Sequence, residues 1–272
     1  MIRPQVIVTG ATGFVGQHLI PLLIRNGCEV IAMGRDENKA KVFDWYEKVE
    51  FVSHDYHVAQ TSFKPKPGAS LIHLAWHGLP NYMSLFHYEE NLPKNYEFIK
   101  GLVESGVSKV LAVGTCFEYG NQSGPLSTSM PANPNNPYAL AKDCLRKQLS
   151  SLQVQTGFTF QWARLFYMFG KGQNPKSILA QLDTAIQNGD PTFNMSGGEQ
   201  LRDYLPVEEV ALQLLEIFEK NDGGVFNVCS GVPISIRRLV ENRIQEKGAK
   251  IRMNLGYYPY PEFEPMAFWG EK

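Results

Sequence analysis

Thr9-Gly10-Ala11-Thr12-Gly13-Phe14-Val15-Gly16 decides the fold of this chain, because it follows the apolar run Val6-Ile7-Val8. A β-branched apolar run of this kind is typical of a strand buried on both faces of a parallel sheet. Gly10 permits a tight turn, Gly13 permits a pyrophosphate to approach the backbone, and Gly16 permits the next helix to pack closely on the strand. The helix N-terminus supplies unpaired N–H groups and a positive dipole end. The stretch therefore predicts a strand, a glycine-rich turn and a helix that bind a dinucleotide.

A tyrosine and a lysine four residues apart form a second motif, Tyr138-Ala139-Leu140-Ala141-Lys142. On a helix both side chains lie on one face. A free tyrosine titrates near pH ~10, which is too high for efficient proton exchange at neutral pH. Because a neighbouring ammonium group favours the phenolate, we expect Lys142 to lower the pKa of Tyr138. After a glycine-rich nucleotide turn, the pair predicts a tyrosine that exchanges a proton with a substrate.

Length and composition narrow the class of protein further. The 272 residues can bury a substantial core as one or two domains, and 26 Lys+Arg against 27 Asp+Glu lack the basic excess of a nucleic-acid-binding surface. No apolar stretch approaches the ~20 residues that span a bilayer, and because the first predicted strand starts close to Met1 we expect no signal peptide. Cysteines without disulfide or metal-ligand spacing predict a cytoplasmic protein without a bound metal. These cysteines are Cys28, Cys116, Cys144 and Cys229.

The first half of the chain alternates apolar β-branched runs with amphipathic segments, a pattern typical of a doubly wound parallel α/β sheet. The predicted strands are Val6–Val8, Glu29–Ala32, Glu50–Val52, Ser70–Leu74, Lys109–Val113 and Thr159–Arg164. The predicted helices are Phe14–Arg25, Glu89–Ser105 and Tyr138–Gln155. After Arg164 the sequence becomes rich in Gly, Pro and Asn. We predict a dinucleotide-binding domain over residues 1–165 and a smaller, partly interleaved substrate-binding region over residues 166–272.

Several short motifs in this order resemble the extended short-chain dehydrogenase/reductase family, which includes nucleotide-sugar epimerases and dehydratases. They are Thr9 to Gly16, Ile72-His73-Leu74-Ala75, Val113-Gly114-Thr115-Cys116-Phe117-Glu118-Tyr119-Gly120, Asn136-Pro137-Tyr138 to Lys142, Arg202-Asp203-Tyr204-Leu205-Pro206-Val207 and Phe226-Asn227-Val228. The resemblance runs along most of the chain. It implies a Rossmann-type fold, a nicotinamide cofactor, a nucleotide-sugar substrate, and a homodimer built from the helices that contain Asn91 and Tyr138.

The resemblance also implies a set of cofactor contacts. They are Gly10, Thr12, Gly13, Phe14, Val15, Gly16, Asp55, Leu74, Ala75, Asn91, Tyr138 and Lys142. Asp55 matches the position that hydrogen-bonds the adenine amino group, Leu74 and Ala75 would line the cleft, and Lys142 would hold the nicotinamide ribose. Ordinary packing or capping is the alternative role for Asp55, Leu74, Ala75 and Asn91.

The end of the second strand distinguishes the two nicotinamide cofactors. An NAD-preferring site usually carries Asp or Glu there, whereas this chain has Gly34 followed by Arg35. A guanidinium can bind a 2′-phosphate through two hydrogen bonds and stack on adenine. We therefore expect NADP(H) to be preferred and NAD(H) to be possible. In the alternative, Arg35 is a solvated charge and Asp36 contacts the ribose.

The resemblance assigns Thr115 to the reacting sugar oxygen, because it lies four residues before Tyr119. In the reducing direction a hydride would reach a ketone carbon, Tyr138 would protonate the developing alkoxide, and Thr115 would orient that oxygen. Lys142 completes the catalytic trio. Oxidation followed by re-reduction, as in a 4-epimerase, would need no further residues.

Dehydration is not expected. Sugar 4,6-dehydratases carry Asp and then Glu after the threonine, whereas this chain carries Cys116 and Phe117, and Glu118 is displaced by one position. Neither Cys116 nor Phe117 can perform the required proton transfer at neutral pH.

Substrate contacts are expected at Thr115, Cys116, Tyr167 and Arg202. Arg202 matches the family arginine that clamps the substrate diphosphate, with an ion pair to a nearby acid as the alternative. Tyr167 replaces an asparagine that usually binds a substrate phosphate. The aromatic run from Tyr257 to Glu264 is expected to be a packed tail, with stacking on a base or sugar as the alternative.

Together these features predict an NADPH-dependent reductase of a nucleotide-linked 4-keto-6-deoxyhexose in deoxysugar biosynthesis. The alternatives are an NAD-dependent nucleotide-sugar 4-epimerase and a non-catalytic dinucleotide sensor. Such sensors typically lose the tyrosine–lysine pair, which is intact here.

Overall fold

The structure is a computed structural model that describes residues 4–57, 63–260 and 264–272. Its strands are β1 (Gln5–Thr9), β2 (Glu29–Gly34), β3 (Glu50–Ser53), β4 (Ser70–His73), β5 (Lys109–Thr115), β6 (Gly124–Leu126), β7 (Thr159–Leu165), β8 (Tyr167–Phe169), β9 (Thr192–Asn194), β10 (Leu201–Arg202), β11 (Tyr204–Pro206), β12 (Gly224–Val228), β13 (Ile234–Ser235), β14 (Arg252–Asn254) and β15 (Phe268–Gly270). Its α-helices are α1 (Gly16–Arg25), α2 (Glu37–Ala40), α3 (Leu92–Glu104), α4 (Pro137–Thr156), α5 (Ile178–Asn188), α6 (Val207–Glu219) and α7 (Ile236–Glu246). A π-helix spans His87–Asn91, and 3₁₀ turns span Tyr46–Lys48 and Cys116–Tyr119.

Seven parallel strands form the central sheet, in the order β12-β7-β5-β4-β1-β2-β3. Every residue of β1 is buried, as its apolar sequence predicts. Winding outward from β1 to β3 and then returning to β4 places a topological switch point between β1 and β4. Open parallel sheets bind their ligands at the carboxyl ends of the strands beside such a point. The predicted doubly wound α/β fold is confirmed.

Helices cover both faces of the sheet. On one face α1 and α6 bury Leu19, Leu23 and Leu214 against the strands. On the other face α3 and α4 bury Ile99 and Leu149. The helix carrying the tyrosine–lysine pair is thereby packed rigidly against the sheet.

Residues beyond 165 form a second small core and also return to the sheet. Helices α5 and α7 pack Leu182 and Leu239 together with β9 and β14. β12 then pairs in parallel with β7, with Val228 opposite Leu165. The later part of the chain therefore contributes β12, an edge strand of the central seven-stranded sheet. A domain boundary at residue 165 stays a prediction.

Among the described ranges, no helix is both long enough and apolar enough to cross a membrane.

Candidate active site

The glycine-rich turn joins the end of β1 to the start of α1. Gly10 has a φ of +67°, and a Cβ there would lie 3.0 Å from the Ala75 backbone nitrogen, so the close approach of the two strand ends requires glycine. A Cβ at Gly16 would lie 2.7 Å from the Ala11 carbonyl oxygen and overlap that of Gly10. Gly16 therefore permits close packing of the helix on the turn itself.

The N-terminus of α1 fits an anionic group. No side chain caps it at Val15, and its first turn contains no acidic residue. A Cβ at Gly13 would lie 2.9 Å from the Gly10 carbonyl oxygen, so the tight turn leaves no room for a side chain there. These features suit a pyrophosphate, because a free helix N-terminus offers N–H donors and a positive dipole end. The contacts of Thr12, Phe14 and Val15 with a dinucleotide stay predictions.

The end of β2 carries no carboxylate. A Cβ at Gly34 would lie 3.3 Å from the Phe51 ring, and Arg35 is exposed. Asp36 is the N-cap of α2, where its Oδ1 accepts hydrogen bonds from Asn38 N at 2.9 Å and Lys39 N at 3.3 Å. That oxygen is used by the helix cap, and a cofactor contact by Arg35 or Asp36 stays a prediction.

Asp55 lies beside two stacked histidines that the sequence analysis did not single out. Its Oδ1 accepts the His57 backbone N–H at 3.0 Å and lies 4.0 Å from His77 Nε2. The His57 and His77 rings are parallel, with centroids 4.1 Å apart. Burial, followed by the charges of His57 and Arg35, lowers the pKa of His77 to about 4. His77 is therefore uncharged at neutral pH, and adenine binding by Asp55 stays a prediction.

The segment after β4 is fixed to β1 by buried hydrogen bonds. Thr9 Oγ1 pairs with His73 Nδ1 at 2.9 Å and accepts Ala75 N–H at 3.3 Å. Burial lowers the pKa of His73 to about 3, so this histidine is neutral. Asn91 is fully buried and donates to the His77 carbonyl at 2.8 Å. Ala75 and Asn91 therefore have structural roles here, Leu74 packs against the core, and cofactor contacts by all three stay predictions.

Lys142 is a buried cation at the centre of the site. Its Nζ donates to the Val113 carbonyl at 2.9 Å and lies 4.0 Å from the centroid of the Trp76 ring. Burial lowers the pKa of Lys142 to about 7. Holding the nicotinamide ribose stays a prediction for this residue.

Tyr138 is buried on the same helix, close to Thr115. Burial raises the pKa of Tyr138 above its ordinary value of 10, and a hydrogen bond from Thr115 opposes that rise. The expected lowering by Lys142 is absent, because burial is the largest influence on the pKa of this phenol, and the Lys142 Nζ contacts the Val113 carbonyl and the Trp76 ring. The expectation from helical spacing was therefore wrong for the phenol pKa, and the phenol stays protonated at neutral pH. Thr115 and Tyr138 are nevertheless brought together.

Two aromatic residues of the site were missed by sequence reasoning. The Tyr82 ring lies 5.4 Å from that of Tyr138 and 5.3 Å from that of Phe117, and its carbonyl accepts Tyr138 N–H at 3.2 Å. Trp76 contacts Tyr138 edge-on at 6.0 Å. Trp76 directly follows the motif that ends at Ala75, which was an available signal, whereas Tyr82 lies in a loop without one.

The two positions after Thr115 provide no acid–base pair. Cys116 is 5% exposed, and burial raises the pKa of its thiol, which stays protonated. Phe117 is half-buried against Tyr82. The described residues also contain no group of three or more His, Cys, Asp or Glu side chains able to hold a metal ion.

Arg202 forms the ion pair that was the alternative to a diphosphate clamp. Its Nη2 lies 2.7 Å and its Nε 3.1 Å from Glu264 Oε2, while Nη1 donates to the Leu201 carbonyl at 2.8 Å. Tyr167 stacks on Tyr204 at 5.1 Å, and its hydroxyl is buried without a hydrogen-bond partner among the described residues. These residues line a cavity of about 170 Å³. Diphosphate binding by Arg202 would require Glu264 to give way, and it stays a prediction.

The aromatic C-terminal run is only partly described, since residues 261–263 lie outside the described ranges. The Tyr257 and Tyr258 rings contact each other at 4.8 Å and are 59% and 53% exposed. The expected packed tail was therefore wrong for these two rings.

Comparison with known proteins agrees with this geometry. Residues 6–229 match the NAD dependent epimerase/dehydratase family. The chain is 30% identical to the dTDP-6-deoxy-L-talose 4-dehydrogenase (NAD(+)) of Aggregatibacter actinomycetemcomitans, with 98% of this chain and 100% of that protein covered. It is 25% identical to the GDP-6-deoxy-D-talose 4-dehydrogenase of the same organism, covering 87% and 78%.

Solved structures show the same fold. The UDP-N-acetylglucosamine 4-epimerase of Methanobrevibacter ruminantium M1, in complex with UDP-N-acetylmuramic acid, superposes with a TM-score of 0.88 at 24% identity, covering 100% of this chain and 90% of that one. The chain is thus an enzyme, and it belongs to the NAD dependent epimerase/dehydratase family.

Proposed function

We propose that this enzyme reduces a nucleotide-linked 4-keto-6-deoxyhexose to the 4-hydroxy sugar. The observation that carries the proposal is the buried, protonated phenol of Tyr138 beside Thr115, at the carboxyl ends of the strands. A phenol that keeps its proton at neutral pH is suited to donate it to a developing alkoxide. A 4-dehydrogenase catalyses this reduction in reverse, so the names of both talose dehydrogenases support the proposal.

Each residue of the trio has a distinct task in the reduction. A nicotinamide cofactor, when bound, supplies the hydride that forms the new C–H bond at C4. The carbonyl π electrons move to oxygen, and the Tyr138 hydroxyl transfers its proton to that oxygen. Thr115 orients the same oxygen by hydrogen bonding. Lys142 lies one helical turn from Tyr138 and, in its ammonium form, would stabilise the tyrosinate that remains.

For the cofactor we propose NADPH. Gly34 leaves the end of β2 without a carboxylate, and the exposed Arg35 guanidinium can donate hydrogen bonds to a 2′-phosphate. NADH is the competing reductant, because the relative at 30% identity carries NAD(+) in its name.

We also propose a cytoplasmic homodimer that pairs through the helices that contain Asn91 and Tyr138, which are the π-helix continuing into α3 and helix α4. The four cysteines are unpaired, which suits a reducing compartment. Exposed apolar side chains on α4 support the pairing.

The test is a panel of dTDP-, GDP-, UDP- and CDP-linked 4-keto-6-deoxy sugars, with NADPH and NADH consumption followed separately. Stoichiometric consumption with one sugar supports the reductase and identifies its nucleotide. Interconversion of 4-hydroxy epimers without net consumption would instead indicate the epimerase. Tyr138→Phe tests the proton-donor role, and it should bind cofactor normally yet lose about 10²–10⁴-fold in kcat. Near-normal turnover by Tyr138→Phe would contradict the proton-donor role.

A further inference from the structure

Glu118 is a fully buried carboxylate that the proposed mechanism does not use. Its Oε1 accepts the Thr115 backbone N–H at 2.8 Å, and its Oε2 accepts Arg164 Nε at 2.8 Å. Trp162 Nε1 lies 3.1 Å from both oxygens. The carboxylate therefore joins the ends of β5 and β7 at the point where Thr115 enters the site.

A reciprocal capping box connects Glu118 to the hydroxyl of Thr115. Thr115 is the N-cap of the 3₁₀ turn, and its Oγ1 accepts Phe117 N–H at 3.3 Å while its own N–H is held by Glu118. Because Phe117 N–H occupies an acceptor position of the hydroxyl, the hydroxyl proton points away from Phe117, toward Tyr138 and, when substrate is bound, toward the substrate oxygen. The orientation of that proton depends on the backbone that Glu118 fixes.

We propose that Glu118 is a positioning residue, which sets the angle of the Thr115 hydroxyl toward the reacting carbonyl. An apolar side chain at position 118 would fill the same space without burying a charge, but it could not accept the Thr115 N–H. Gly114 is part of the same arrangement, because a Cβ there would overlap Glu118 Oε1 and lie 2.6 Å from Trp162 Cε2.

The inference rests on the proposed function, since Glu118 acts through Thr115, and a double-mutant cycle tests the two separately. Glu118→Gln presents an NH₂ group to a donor on one side, so we expect kcat to fall about tenfold with KM changed less than about twofold. In the Thr115→Val background, which lacks the hydroxyl, the same substitution should change kcat by less than about twofold.

A tenfold loss from Glu118→Gln in both backgrounds would overturn the inference and leave the proposed function standing. A normal kcat for Thr115→Val would remove Thr115 from the mechanism and overturn the inference, whereas reduction with Tyr138 as proton donor would still stand. Glu104→Gln is the matched control, because it makes the same change at an exposed carboxylate in the last turn of α3, so its kcat should stay within about twofold. If Glu118→Gln fails to fold, Glu118→Asp enters the same cycle, because it keeps the charge for Arg164 but shortens the reach to Thr115.

Discussion

Lys142 shows how burial and local contacts compete at a single residue. Its hydrogen bond to Val113 and its position over the Trp76 ring both favour the ammonium form. Burial outweighs them, and the pKa falls from 10.5 to about 7. The folded protein therefore holds this proton less tightly than the unfolded chain does.

Stability should consequently rise with pH through this residue. Between the folded pKa of about 7 and the ordinary value of 10.5, the unfolded chain binds a proton that the folded chain releases. We expect the free energy of unfolding to rise by about 3 kcal/mol from pH ~7 to pH ~9.5 relative to Lys142→Met. Urea denaturation of both proteins at the two pH values measures this difference. The exposed Lys94, changed to Met, is the control and should leave the pH dependence of stability unchanged. If the stability of Lys142→Met rose with pH as much as that of the unmodified protein, the prediction would be wrong.

Arg35 decides the cofactor preference if the proposal for the end of β2 is correct. Arg35→Ala should raise the KM for NADPH about tenfold, because a guanidinium–phosphate contact is lost, and change the KM for NADH less than about twofold. Steady-state kinetics with each cofactor provides the measurement. Lys39→Ala removes an exposed cation from the adjacent α2 and should leave both KM values unchanged. Equal effects of Arg35→Ala on both cofactors would show that the strand end does not discriminate.

Among the elements, those with strong local signals could be predicted from sequence. β1, the glycine-rich turn and α4 are encoded in continuous stretches, and their predicted bounds differ from the structure by a few residues at most. The predicted helix Glu89–Ser105 instead divides into a π-helix over His87–Asn91 and α3. No pattern in the sequence signals that change, because it depends on how His87 and Asn91 pack against the neighbouring loop.

The junction of the glycine-rich turn with α1 leaves no room for a side chain at Gly16. Gly16→Ala places a Cβ against two backbone carbonyls, so we expect about 1–3 kcal/mol of destabilisation and weaker cofactor binding. Gly101→Ala on α3 is the matched control. It adds a Cβ with nothing within 4 Å and should stabilise the protein by up to about 1 kcal/mol. Chemical denaturation of the two variants checks the contrast, and a Gly16→Ala protein as stable as Gly101→Ala would contradict it.

At the scale of the whole molecule, the parts of the site that escaped prediction are long-range contacts between charged or aromatic side chains. Arg202 and Glu264 are 62 residues apart in sequence, and only the path of the C-terminal segment brings them together. The placement of Trp76 over Lys142 likewise depends on how β4 and α4 meet. Sequence motifs identified the residue types at the site, whereas tertiary packing set the charge state of Tyr138 and the partner of Arg202.

We expect the outer surface of α4 to form part of a homodimer interface. Leu140 and Val154 are 42% and 87% exposed and lie about four turns apart on one face of this helix. Light scattering should therefore give twice the chain mass of 30.6 kDa. Val154→Lys places a charge at an exposed apolar position of this helix and should shift the protein toward the single-chain mass, because an unpaired charge at an interface is costly. Val42→Lys changes a 74% exposed residue outside α4 and should leave the mass unchanged. A single-chain mass for the unmodified protein, or a dimer that survives Val154→Lys intact, would contradict pairing through this helix.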